Sequence, residues 1–162
     1  MANMSDYLES GLLNHVFRGH SFVKPTGMSL ALTSGVPVES GTAENLVTGG
    51  FLQELPSGDP DLGDTGYRRI NFGDPNTFGN GAWDFATDEE FANGSGFIKN
   101  CETLYFGTAL TEWGWVSGIA ICDHPGWGSG NLIMQSQLDN ERYVYKGDSL
   151  KFDPGQLRIQ FK

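Results

Sequence analysis

Trp113-Gly114-Trp115-Val116-Ser117-Gly118-Ile119-Ala120-Ile121-Cys122-Asp123 is the longest run of strand-forming residues in the chain's second half. Trp115, Ile119 and Ile121 share one parity, interrupted only by Ser117, while Val116, Ala120 and Cys122 share the other. Side chains alternate between the two faces of a strand, so a strand apolar at both parities is covered on both faces. Residues 113–122 therefore read as the central strand of a sheet with something packed on each side. Trp113 and Trp115 are both expected in the core.

Further segments of the same kind flank it. Residues 28–33, 67–72, 83–85, 97–100, 103–106, 131–138, 143–146, 149–152 and 156–161 read as short strands. Most are bounded by Gly, Asp, Asn or Pro. Short strands at nearly even spacing point to a mainly β protein, a β-sandwich or jelly-roll-like domain. Composition agrees. Gly contributes 23 of 162 residues and aromatics 12%, while charged residues reach only 19%, which suits strands and tight turns better than a helical bundle. No repeat is visible at a period of a few tens of residues.

One helix is expected, over 5–18. Ser5 is placed to cap it, Asp6 and Glu9 suit its positive end, and Arg18 and Gly19 mark its stop. Leu8, Leu12 and Val16 recur four apart, with Leu13 and Phe17 beside them. So short a helix is marginal alone and must dock, either onto its own sheet or onto a neighbouring subunit. Between 34 and 66 periodicity is lost and Ser, Gly, Thr, Asp, Glu and Pro dominate. This reads as a long loop or arm, anchored by Val47, Phe51, Leu52 and Leu55 and able to hold a short strand. The organisation expected is one domain over 1–162: a helical segment at 1–20, the arm at 34–66, and a strand-rich core at 67–162.

Charge and motifs limit the function. Asp and Glu total 20 against 10 Lys and Arg, a net charge of −10, so a phosphate backbone would be repelled and nucleic acid is not expected as a partner. No apolar run is long enough to span a bilayer, and Asp6 and Glu9 stand where a signal peptide would be basic or apolar. There is no P-loop, nucleophile elbow, zincin motif or dinucleotide fingerprint. His15 and His20 miss the spacing of one helix face, and His124 is remote. Asp59-Pro60-Asp61-Leu62-Gly63-Asp64 fails the ligand order of a calcium loop. Cys101 and Cys122 are too far apart for a CxxC pattern and are expected as two buried free thiols, a disulfide being the alternative if their strands are neighbours. No enzyme activity, cofactor or metal is expected. Trp127, on the Gly-rich loop His124–Gly130, is expected to be partly exposed and to serve a protein interface or, in another reading, a glycan.

In order along the chain, several segments resemble one family. They are the opening Met4 to Arg18, Lys24-Pro25, Leu30 to Thr33, Tyr67-Arg68-Arg69, Thr111 to Val116, Gly118 to Asp123, Gly130 to Met134, Gly147-Asp148 and Phe152 to Leu157. Together they resemble small bacteriophage virion structural proteins, labelled head-decoration or cement proteins and also tail-fibre-like. Residues 35–66 and 73–95 fall outside the likeness. The resemblance implies a β-sandwich subunit carried in many copies on a phage particle. The acidic surface favours the capsid exterior, away from packaged DNA. The expectation is then a decoration protein that contacts the major capsid protein and self-associates as a trimer or dimer. A tail, baseplate or fibre component is the alternative, and a glycan-binding module the third. The candidate interface residues are Leu8, Leu12, Val16, Phe17, Phe51, Leu52 and Trp127.

Overall fold

The computed structural model describes residues 3–35, 53–55, 64–73, 83–85 and 97–160. Its elements in chain order are β1 (Asn3–Met4), α1 (Asp6–Arg18), β2 (Met28–Ser34), β3 (Gln53–Glu54), β4 (Ile70–Gly73), β5 (Trp83–Phe85) and β6 (Phe97–Asn100). They continue with β7 (Leu104–Thr108), β8 (Gly114–Cys122), β9 (Leu132–Val144), β10 (Ser149–Phe152) and β11 (Arg158–Gln160). The protein is mainly β and built from antiparallel sheets, as a β-sandwich-like domain requires. The largest sheet has six strands in the order β1-β9-β8-β2-β3, with β4 also paired to β2. Two smaller sheets, β10-β7 and β11-β6-β5, accompany it.

β8 is central, between β2 and β9, and everything from Val116 to Cys122 is buried. Register explains its two apolar parities. Leu30 and Leu32 of β2 lie opposite Ile121 and Ile119, and Met134 of β9 faces Ile121 from the other side. These join Leu104, Phe106, Leu150 and Leu157 in the main core, so one face of the large sheet packs on the layer that carries β7 and β10. The opposite face is lined by small side chains, with Ala31, Ala120, Cys122 and Leu132 forming a second cluster. Each large aliphatic side chain so buried contributes about 1.5–3 kcal/mol, which is where the sheet's stability originates.

Three expectations need correction. Trp115 is 56% exposed, not core. It lies at the start of β8, opposite Tyr143; across the register shift between Val116 and Gly118 it is Val116 that enters the main core, so Trp115 is turned to the other face of the sheet. The strands expected at 131–138 and 143–146 are one element, β9. The polar run between them is a bulge, in which a single β8 residue, Ser117, faces Leu138, Asp139, Asn140 and Glu141. Finally, Cys122 is buried but Cys101 is exposed, and no disulfide joins them.

The arm expected at 34–66 is described at 53–55 and from 64 onward. β3 pairs with the end of β2, and Leu55, 1% exposed, belongs to the main core. Phe51 and Leu52 lie outside the described residues.

Candidate interaction surfaces

The helix is held at both ends. Ser5 caps it, its Oγ accepting from the Leu8 N–H at 3.3 Å while donating to the Leu132 carbonyl. The Ser5 N–H donates to the Ile133 carbonyl at 3.0 Å, so the cap is also a weld to β9. At the other end Gly19 takes a left-handed conformation (φ 69°), and the His20 N–H closes on the Asn14 carbonyl at 3.2 Å. The chain then folds back, laying the Phe22 ring over Gly11 and near Tyr7, with centroids 6.2 Å apart.

This arrangement divides the expected stripe. Leu8 is buried and Leu12 half-buried against the body, so these two dock the helix on its own sheet. As interface residues they are corrected: their surface is already used inside the fold. Val16 and Phe17 face solvent, 66% and 78% exposed, and Leu13 is exposed beside them. Spaced three and four apart, these three form one contiguous apolar strip on the outer side of α1. Val23, in the returning segment, is exposed as well.

Trp127 is also reassigned. It is half-buried, packs on the main core, and its Nε1–H donates to the Leu55 carbonyl at 2.9 Å. The indole of the Gly-rich loop therefore holds the arm in place. It does so beside an ion pair that sequence reasoning missed. Arg69 and Glu54 have fully buried side chains and meet in a fork, Nε to Oε1 at 2.7 Å and Nη2 to Oε2 at 2.6 Å. Arg69 Nη1 donates to the carbonyls of His124 and Ser129, and the Gly128 N–H donates to Glu54. Tyr67 donates its hydroxyl to Glu54 at 3.2 Å and accepts from the Leu32 N–H at 3.0 Å.

Four ionisable groups thus converge: Glu54, Tyr67, Arg69 and, nearby, Cys122. Burial first, then the Glu54 carboxylate, drives the Tyr67 phenol well above its usual range, and burial pushes the Cys122 thiol up to about 12. Both stay protonated at neutral pH, and a thiol so held is a poor nucleophile. The ion pair is satisfied on both sides by backbone groups. An unpaired charge at this depth costs about 3–5 kcal/mol, so neither partner can be released for chemistry. The cluster is a clamp: it fastens β3, the 64–73 segment and the 123–131 loop together. The signal that could have found it was the lone glutamate of an otherwise apolar anchor, Glu54 before Leu55.

A second exposed surface lies at the start of β8. Trp115 and Tyr143 are cross-strand neighbours whose rings meet edge to face, centroids 5.3 Å apart at 85°. Tyr145 follows on the same face, its ring 4.6 Å from that of Tyr143 and tilted by 48°. Glu112 accepts a hydrogen bond from the Tyr143 hydroxyl, and Asp148 accepts from the Tyr145 N–H at 3.0 Å. A third feature, an open cleft of about 670 Å³, separates the β9 bulge from β10. It carries Asp139 and Glu141 alongside Arg142, Lys151 and Arg158, with no single sign of charge. Among the described residues no three His, Cys, Asp or Glu side chains are grouped to hold a metal ion.

The model of the family described as Podophage GP4 fiber I protein gp80 matches residues 3–160, from β1 to the last strand. The chain belongs to that family. The gp80 family is one of phage virion structural proteins, and a virion structural role follows for this chain. The matched range spans both exposed surfaces and the clamp. No curated protein matches the chain. Among the described residues no helix is long and apolar enough to cross a membrane.

Proposed function

We propose that this chain is a fibre-type structural subunit of a phage particle, attached to a neighbouring virion protein through the outer strip of α1. The observation that carries the reading is the strip itself. Leu13, Val16 and Phe17 stay exposed on a helix whose cap, end and inner face are all fastened to the body. A helix so secured has no folding reason to keep three large apolar side chains in water, and such patches mark docking surfaces. The family description favours a fibre location over the head shell.

In this reading the chain performs no bond-making chemistry; its converging ionisable groups sit inside a closed clamp. Its action is mechanical, and many modest contacts in a symmetric array sum to firm attachment. Self-association as a trimer or dimer is part of the same proposal. Capsid decoration, with the major capsid protein as partner, is the second reading, supported by the net charge of −10 that suits an outward surface.

Density or gold labelling of purified particles, together with the copy number of this chain, separates the two. The fibre reading expects the chain at the tail or fibres, with copies in the tens. Hundreds of copies spread over the head would assign it to decoration.

A further inference from the structure

The Trp115–Tyr143–Tyr145 row has a composition that the fold does not require. Its rings lie outside the main core, and Trp115 and Tyr145 are 56% and 59% exposed. Their mutual angles of 85° and 48° make a corner, whereas coplanar rings would make a flat shelf. Two carboxylates stand along the row, Glu112 at the hydroxyl of the middle ring, Tyr143, and Asp148 at the backbone N–H of Tyr145. Aromatic faces carry negative electrostatic potential, so rings set at angles beside carboxylates favour a cation.

The local cations do not fill this role. Arg142 precedes Tyr143 on the strand and so points to the opposite face, where it lines the cleft by the β9 bulge. Lys146, beyond the strand end, is exposed and makes no ion pair. The chain as a whole is acidic, at −10.

We infer that this corner receives an arginine side chain from a partner protein, its guanidinium lying on the Trp115 and Tyr143 rings and reaching the Glu112 carboxylate. Arginine fits better than lysine because its planar, weakly hydrated guanidinium stacks on rings and pairs with a carboxylate at once. A saccharide, the other common ligand of exposed aromatics, would be served by a flat shelf and, being neutral, gains no ion pair from the flanking carboxylate. The inference rests on the proposed virion role only in making the partner a virion protein. The binding chemistry belongs to the isolated chain.

The test follows the indole N–H resonance of Trp115 by NMR while a capped Gly-Arg-Gly peptide is added to the full chain. The controls are the same peptide with citrulline, which has arginine's shape without its charge, and a set of neutral oligosaccharides. We expect a saturable shift with the arginine peptide at millimolar concentration, weakened by added salt and absent with citrulline. Glu112→Gln should weaken it about fivefold, and Trp115→Ala or Tyr145→Ala should abolish peptide-induced shifts of Tyr143. Equal responses to arginine and citrulline, no response, or a response to an oligosaccharide alone would overturn the inference. Because the readout is on the free chain, its failure leaves placement in the particle to be judged separately.

Discussion

Arg69 and Glu54 show how a polar pair can organise an apolar body. Neither side chain touches solvent, and each is saturated by groups from two other segments. Around them Tyr67 and Cys122 stay neutral because burial disfavours their charged forms. That has a measurable consequence. The folded chain holds the Cys122 proton more tightly than the unfolded chain, whose thiol titrates near the ordinary 9.0. Stability from this group is therefore whole below that value and is lost as pH climbs toward about 12. Urea unfolding followed from about pH 8 to about pH 11 should show stability falling by up to about 1.4 kcal/mol per unit from the thiol alone. Cys122→Ala should flatten the decline, and an unchanged slope in that variant would contradict the assignment. Tyr67, raised for the same reason, adds a fall of the same sign at higher pH. Little of this was legible in the sequence. Glu54 and Arg69 are fifteen positions apart, and only the pairing of β3 with β2 brings the glutamate inward.

The elements were more legible, because periodicity and capping are local. Ser5, Gly19, the apolar run of β2 and the doubly apolar β8 all act over a few residues, and each lies where those signals put it. Failures came where an element's surroundings decide. Trp115 shares its parity with Ile119 and Ile121, but the bulge opposite Ser117 breaks that parity, so Val116 enters the main core and Trp115 faces the other way. The polar run from 139 to 142 looks like a turn, yet β9 carries it as a bulge because β8 keeps pairing on both sides. In α1, the stripe is real but splits into an inner docking half and an outer exposed half. Gly11 belongs to the same element. In an ordinary helix interior, alanine would be better than glycine by about 1 kcal/mol. Here a methyl group would collide with the Phe22 ring that folds back over the helix. Gly11→Ala should therefore lower stability, by about 1–2 kcal/mol as for other overpacked sites. A thermal melt would register this as a lower Tm, and a higher Tm would show that the returning segment yields freely.

At the scale of the whole molecule, charge is unevenly distributed along the chain. Residues 34–96 hold eleven of the 20 acidic residues but only two of the 10 basic ones, Arg68 and Arg69. The remainder, which includes α1 and the β7–β11 strands, is nearly balanced. A near-neutral body with an apolar strip can approach another protein without the repulsion that a charge of −10 spread evenly would bring. On the proposed reading, the outer strip of α1 attaches this body to the particle. The most direct measurement is the amount of a Val16→Lys, Phe17→Lys variant recovered in purified particles when it replaces the natural chain, since cations suit the last turn of a helix. Both side chains are exposed, so the variant should fold with an unchanged Tm. Incorporation should nevertheless fall at least about tenfold, since each apolar side chain lost from an interface removes about 1.5–3 kcal/mol. A folded variant that enters particles at the natural level would contradict the claim.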